Sequence, residues 1–332
     1  MTILVTGGAG YIGSHVVLEL QKAGRHPVVL DDLSTGFRQA VLHGDLVVGN
    51  TGDAECLARV FGEYDIDTIM HFAAHTIVPE SVANPLKYYR NNTAASRTLL
   101  EWSLKADVRH FVFSSTAAVY GMPEGGVAGE DSPTQPINPY GHSKLMTEQM
   151  LRDVGAVTDL RYAILRYFNV AGSDPSGRIG QSTAKATLLT KVACEAAVGK
   201  RPGVSIFGTD YDTPDGTGVR DYIHVEDLAS AHLSALDYLR AGGESTTLNC
   251  GYGRGFSVRD VISRVEKAAG HAIQVKEDAR RAGDPPTLIA AADRIRSVLD
   301  WTPAYDDLDV ICATSLAWEK KLAAGIWQSD HN

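Results

Sequence analysis

Cysteine is scarce in this chain, and the four present, Cys56, Cys194, Cys250 and Cys312, lie far apart with no CxxC spacing. A disulfide framework or a zinc site needs paired spacing, so four reduced buried thiols and no metal are expected. Positive charge is also short: 31 Lys and Arg stand against 40 Asp and Glu, a formal net charge of −9. Gripping a phosphate backbone takes clustered Lys and Arg, so no nucleic-acid partner is expected and an anionic ligand must be held by local groups. No stretch of ~18 residues is apolar and uncharged, and the N-terminus enters a strand pattern without a basic region, apolar run and cleavage site. The expectation is a cytoplasmic protein with no membrane partner. Internal repeats and low-complexity linkers are lacking as well.

What is present is an ordinary globular composition, 44% hydrophobic and 21% charged over 332 residues. That length is enough for two lobes, since single domains commonly run ~100–200 residues. Thr2-Ile3-Leu4-Val5-Thr6 is a short strand pattern, followed by Gly7-Gly8-Ala9-Gly10-Tyr11-Ile12-Gly13 and a helical pattern through Val16, Val17 and Leu20. Glycines at such a turn let the backbone approach a pyrophosphate, and the helix behind them aims unpaired N–H groups at it. A plain glycine-rich turn would carry the same letters; the position, at the first strand-to-helix junction, favours the dinucleotide. A second strand, Pro27 to Leu30, ends in Asp31-Asp32, where an acid would bond the ribose hydroxyls and repel a 2′-phosphate, so NAD is favoured over NADP. Ser34-Thr35-Gly36 continues that loop, as donors or as a solvated turn.

Strands are expected at 46–48, 68–72, 110–113 and 162–166, with helices at 56–61 and from Asn84-Pro85 onward. His71 reads as a packed strand histidine, and Ala73 and Ala74 as small residues where a cofactor or a helix passes close. The pattern is α/β, a doubly wound parallel (Rossmann) sheet with a smaller C-terminal substrate-binding lobe. We expect residues 1–170 to hold the dinucleotide and 171–332 the substrate, with 220–250 packing back on the first lobe. Ser114-Ser115-Thr116 puts three hydroxyls at a C-terminal strand end, as a ligand site or a capping cluster. Then Asn138-Pro139-Tyr140-Gly141-His142-Ser143-Lys144 opens a helix with Tyr140 and Lys144 on one face. A neighbouring ammonium would lower the phenol toward neutral pH and make it a base, although a solvated helix surface can show the same spacing.

Five segments together, TGGAGYIGSH (6–15), FSSTAAVYG (113–121), NPYGHSK (138–144), RYFN (166–169) and FGTDYDTPDGTGVRDYIHVEDLA (207–229), resemble the extended short-chain dehydrogenase/reductase family, and within it the UDP-galactose 4-epimerases. The resemblance covers nearly the whole chain. It implies bound NAD and a UDP-sugar substrate inverted at C4 through a 4-keto intermediate, in a homodimer formed through the long helices. It implies Tyr140 as base, Lys144 as its partner on the nicotinamide ribose, and Thr116 orienting the sugar 4-oxygen. For the cofactor it implies Gly7, Gly10, Tyr11, Ile12 and Gly13, then Asp31, Asp32, Thr35 and Gly36, then Asn50 and Thr51. Phe72, Ala73, Ala74, Thr76, Asn92, Ser114 and Tyr167 complete that set. For the substrate it implies Phe168, Asn169, Leu188, Leu189, Phe207, Arg220, Arg281, Asp284 and Leu288, with the two arginines on the diphosphate and Asp284 on the uridine ribose.

Some positions depart from the family. Asn50 stands where an aspartate usually faces adenine, Leu188 where Asn or His is common, and Thr116 where serine is usual. Leu288 falls at the hexose gate, where tyrosine restricts and smaller residues admit a 2-acetamido group, so N-acetylated UDP-hexosamines are expected substrates too. A nucleotide-sugar 4,6-dehydratase would carry an Asp-Glu pair where this chain has Ala117-Ala118, which cannot transfer protons. A UDP-pentose 4-epimerase remains open because its chemistry is identical. A non-catalytic NAD-binding protein is disfavoured by the retained Tyr140, Lys144 and Thr116.

Overall fold

Short β-branched runs alternate with helical stretches through the first half, and strands re-entered through a covering helix pair in parallel. The computed structural model describes residues 2–184, 186–281 and 283–325. Its strands are β1 Thr2–Thr6, β2 Pro27–Asp31, β3 Asp45–Val48, β4 Ile66–His71, β5 His110–Thr116, β6 Val127–Ala128 and β7 Arg161–Tyr167. They continue with β8 Asn169–Ala171, β9 Val204–Phe207, β10 Val219–His224, β11 Thr246–Cys250, β12 Gly255–Ser257, β13 Val275–Asp278 and β14 Thr287–Ala290. One seven-stranded parallel sheet runs β11-β7-β5-β4-β1-β2-β3. Its order reverses between β1 and β4, the switch point at whose carboxyl edge a doubly wound sheet binds ligands. This is the expected Rossmann architecture.

The helices are α1 Tyr11–Lys22, α2 Ala54–Glu63, α3 Val78–Ala83, α4 Pro85–Tyr88, α5 Ala95–Lys105 and α6 Pro139–Val157. After them come α7 Leu189–Ala197, α8 Val225–Arg240, α9 Val258–Ala269, α10 Asp293–Leu299 and α11 Leu308–Ala323. Neighbouring residues of each central strand go to opposite cores: Val5, Val29, Met70, Val112 and Leu165 lie with Val17 and Leu228, whereas Leu4, Val28, Ile69, Phe111 and Ile164 lie with Leu57, Leu99 and Leu151. The sheet is therefore buried on both faces, under α1 and α8 on one side and α2, α5 and α6 on the other. That double burial is why its strands read as continuous apolar runs. All four cysteines are free and buried, as expected. Among the described residues no helix is long and apolar enough to cross a membrane.

Two features differ from the expectation. The helix beginning at Pro85 is not one α-helix: Tyr89–Ala94 forms a π-helical stretch between α4 and α5. There the Asn92 carbonyl accepts from Ser96 Oγ (2.5 Å) and Thr147 Oγ1 (3.3 Å), hydroxyls that compete with the backbone ladder. The edge strand β11 was not read from Thr246-Thr247-Leu248-Asn249-Cys250, which lacks apolar alternation and forms a strand because β7 supplies its partner. A second sheet, β12-β10-β14-β6 with β8 beside β10, stands over the carboxyl edge of the first, and α7, α9 and α11 pack behind it.

Asp221 ties this second sheet together. Fully buried, its carboxylate accepts from the backbone N–H groups of Tyr252 (3.1 Å), Gly253 (2.8 Å) and Ala290 (3.3 Å). Burial pushes its pKa up to about 6 despite those donors. An unfolded Asp titrates near ~3.9, so between about pH 4 and about pH 6 the native chain binds more protons, and this group's contribution to stability falls as pH rises. Asp221→Asn is expected to flatten that slope and to cost ~1–3 kcal/mol, because a backbone donor loses its acceptor. Urea midpoints near pH 4.5 and near pH 7 measure both effects, and a variant with the wild-type slope would refute the assignment.

Candidate active site

The site begins where β5 meets α6. Asn138 caps α6, its Oδ1 accepting from Gly141 N (2.9 Å), and Pro139 takes the first helical position, whose N–H needs no partner. That cap places Tyr140 in the first turn and Lys144 one turn on, both facing β5. The Lys144 ammonium donates to the Ser114 carbonyl (2.8 Å) and lies 4.9 Å from the Phe113 ring centroid. The Tyr140 phenol stands beside the Thr116 side chain, and the Tyr88 ring packs edge-on with its centroid 6.5 Å from that of Tyr140. Behind them the Tyr167 hydroxyl bonds Ser114 Oγ (2.8 Å).

The electrostatics correct one expectation. Lys144 does not draw the phenol toward neutrality: burial pushes Tyr140 up to about 12, and the Thr116 hydrogen bond is what opposes it. Burial also pushes Lys144 down to about 7, against the attraction of Glu148. With Tyr140 6% and Lys144 3% exposed, desolvation penalises both charged forms. Its ammonium is committed to a strand carbonyl, so the lysine alone leaves the tyrosine protonated.

Beside this pair lies the glycine turn. Gly7 has φ +70°, and a Cβ there would meet Ala73 N at 2.6 Å; one on Gly13 would meet the Gly7 carbonyl at 2.2 Å. At Gly10 the start of α1 carries no side-chain cap and no acid in its first turn, which leaves its N–H groups to an anion. That uncapped cradle fits a dinucleotide pyrophosphate. The Tyr11 hydroxyl donates to the Gly172 carbonyl (2.7 Å), and Ile12 packs on the core. Asp31 accepts from Ala9 N (2.9 Å) and Leu33 N (2.8 Å), so it also braces the turn, while Gly36 is buried near Ala9.

The outer Asp32 accepts from Ser34 N (3.0 Å) and from the Asn50 amide (2.9 Å). Asn50 in turn accepts from Gly52 N (2.8 Å), so the amide at this unusual position steadies Asp32 where a second carboxylate would repel it. Both aspartates keep lone pairs for ribose hydroxyls. Thr51 is buried, Thr35 and Thr76 are exposed, and Phe72, Ala73 and Ala74 form the half-buried floor at the end of β4. Asn92 is committed to the protein: Oδ1 accepts from His75 N (2.8 Å), and Nδ2 donates to the His75 carbonyl and to Ser143 Oγ (3.0 Å each). As expected, His71 is a packed histidine, bonded to Thr6 (2.6 Å) and Ser96 (2.7 Å).

The residues expected to meet substrate fall into two groups. Arg220 and Leu288 are register partners on β10 and β14, and Leu288 packs with Ala117, Val119, Tyr120 and Phe168 beside the Thr116 turn. Asn169 starts β8 opposite Tyr222. The Arg220 guanidinium donates to the carbonyls of Val219 (2.8 Å) and Pro286 (3.4 Å), and burial lowers its pKa against the pull of Tyr222 and Asp284. The Arg281 guanidinium stacks 3.6 Å from the Phe207 ring centroid, with Asp284 one turn away. Leu188 stands exposed at the start of α7, and Leu189 turns into the core.

Sequence reasoning passed over three neighbours. Tyr88 holds the 77–80 segment through Ile77 and Glu80 beside Tyr140. His232 lies buried against Phe72 and Tyr167, its ring kept neutral by burial at about 4. Glu148 lies one turn beyond Lys144; the (i, i+4) spacing from the lysine was the signal that could have found it.

Residues 3–251 match the NAD dependent epimerase/dehydratase family. A UDP-glucose 4-epimerase of Azospirillum brasilense is 58% identical over 328 residues, 98% of this chain and 94% of that protein. The solved structure of UDP-glucose 4-epimerase from Brucella ovis in complex with NAD superposes with a TM-score of 0.93 at 42% identity, covering 95% of this chain and 97% of that one. That of the UDP-Glc/GlcNAc 4-epimerase from Campylobacter jejuni gives 0.85 at 48% identity, over 96% of this chain and 99% of that one. With its uncapped glycine cradle, its buried Tyr-Lys pair and a match over most of its length, the chain belongs to the NAD dependent epimerase/dehydratase family.

Proposed function

We propose that this chain is an NAD-dependent isomerase that inverts C4 of a UDP-hexose, interconverting UDP-glucose and UDP-galactose through a transient 4-keto sugar. The observation that carries this is the Tyr140 phenol, buried at the end of β5 beside Thr116, with Lys144 one turn on. The reading draws further support from the 58% identity to a UDP-glucose 4-epimerase. In this reading residues 1–170 hold NAD and 171–332 the sugar nucleotide.

Bound in the glycine cradle, NAD supplies the acceptor and donor of the C4 hydride and a positive ring charge that favours the phenolate. Tyr140 accepts the 4-hydroxyl proton and returns it, Thr116 aims the 4-oxygen at the phenol, and Lys144 bonds the nicotinamide ribose. Inversion requires the keto sugar to turn over while the nucleotide stays anchored. Arg220 and Arg281 suit the diphosphate, since a guanidinium fork matches phosphate oxygens, and Asp284 suits the uridine ribose. Ala117 and Ala118 follow Thr116 and offer no second proton-transfer group, which weighs against dehydration.

Leu288, 9% exposed and smaller than tyrosine, leaves the hexose side open, and we extend the proposal to UDP-N-acetylhexosamines. The likeness to the Campylobacter jejuni UDP-Glc/GlcNAc 4-epimerase supports this extension. A homodimer is part of the proposal, supported by the apolar face of exposed Val82, Leu86 and Met146 on α3, α4 and α6.

Incubation with UDP-hexoses, UDP-pentoses and UDP-N-acetylhexosamines, without added NAD and with products identified by NMR, is expected to give the C4 epimers of the hexoses and their N-acetylated forms. Turnover confined to pentoses, or strict dependence on added NADPH, would overturn the proposal. Tyr140→Phe is expected to lower kcat by ~10²–10⁴-fold while NAD stays bound, as read by the nucleotide released on denaturation. Leu288→Tyr is expected to lose activity on N-acetylhexosamines by roughly 10–200-fold relative to hexoses.

A further inference from the structure

Arg166, in the RYFN stretch at the end of β7, takes no part in the proposed reaction, yet it is 2% exposed and fully engaged. Its Nε donates to Glu148 Oε1 (2.9 Å) and its Nη2 to Oε2 (2.6 Å), a two-pronged fork. Ser115 Oγ donates to the same Oε1 (2.5 Å) and Arg152 to Oε2 (2.8 Å). The remaining Arg166 nitrogen donates to the Tyr120 hydroxyl (3.0 Å), which donates to Asn249 Oδ1 (2.6 Å) on β11. One buried carboxylate thus joins α6, β5 and β7.

We infer that Glu148 is a positioning residue for the reaction proposed above: pinned by Arg166 and Ser115, its carboxylate holds Lys144 as a cation aimed at the end of β5. Glu148 and Lys144 are four residues apart on α6, so they share a face. Among the described residues, the other titratable groups around Lys144 offer it no anion. Tyr140 on α6 and Tyr88 on α4 are phenols pushed up by burial; His71 on β4 is held neutral at about 3; and His232 on α8 is neutral behind Tyr167. Tyr167 on β7 is likewise a protonated phenol, and the cations Arg166 and Arg152 draw on the same Glu148 carboxylate. Burial drives Lys144 toward its neutral form, and Glu148 is the charge opposing that. Because Ser115 lies between Ser114, whose carbonyl receives the ammonium, and Thr116, which stands beside Tyr140, the same carboxylate also sets the register of the strand end against α6.

The test uses the NAD-loaded protein with 13C at the lysine ε-carbons, the Lys144 signal being the one absent from Lys144→Met. Glu148→Gln keeps the shape and one acceptor for Arg166. It is expected to lower the Lys144 titration midpoint by about one pH unit, tenfold in its ionisation constant. The alkaline limb of kcat/KM should move down equally, with kcat near pH 6 kept within a few-fold. An unmoved midpoint, or a loss of kcat equal at every pH, would overturn the inference by reducing Glu148 to a structural tie. Should Glu148→Gln not fold, Arg152→Met strips a half-buried cation from the same carboxylate and must raise the midpoint; an unmoved midpoint there would overturn the inference too. The lysine titration needs no substrate, so it decides the role of Glu148 even if C4 inversion is not observed.

Discussion

Desolvation governs this site before any other force does. The crossing of β5 and α6 excludes water from a phenol and an ammonium at once, and a dry pocket penalises both ions. Left to themselves the two groups relax toward a neutral tyrosine and a weakly basic lysine. Every other charge near the pair acts against that tendency or leaves it in place. In the proposed reaction the phenol is therefore no base until positive charge arrives, which would restrain proton transfer to the interval when ligands fill the cleft.

The frame that sustains this is short. Three consecutive residues at the end of β5 frame the pair: the Ser114 carbonyl takes Lys144 and its hydroxyl meets Tyr167, Ser115 reaches Glu148, and Thr116 stands beside Tyr140. A parallel sheet buried on both faces keeps this edge from shifting, and the π-helical turn at Tyr89–Ala94 brings Asn92 against Ser143 on α6. For the proposed reaction stiffness here matters, because hydrogen-bonded proton transfer tolerates little misplacement.

Much of this was legible from residues. The glycine run, the acidic end of β2, the hydroxyls ending β5 and the Tyr140-Lys144 spacing each state a local rule, and local rules survive folding. What stayed hidden depends on partners distant in sequence. Thr246–Cys250 became a strand only through β7, and Asn249 within it is buried because Tyr120 and the Ala128 carbonyl satisfy it. The direction of the Tyr140 shift could not be read from (i, i+4) spacing, because burial outweighed the neighbouring charge. Asn50 showed in the sequence only as a departure from the family; that its amide bonds Asp32, eighteen positions away, needed the fold. Arg166 was visible as a motif letter, but its role required knowing where Glu148 pointed.

The edge strand β11 also carries a temporal consequence. Some 80 residues separate it from β7, and the helix α8 that covers one face of the sheet lies in the same interval. A ribosome adding roughly 5–20 residues per second will have released the glycine cradle and the Tyr-Lys helix well before the strand and helix that close the sheet emerge. Until then β7 presents an open edge and one sheet face lacks part of its apolar cover, a state prone to pairing with other chains. The protein's exposure to misassembly thus lies in the delay between making its reactive groups and making the strand that seals them.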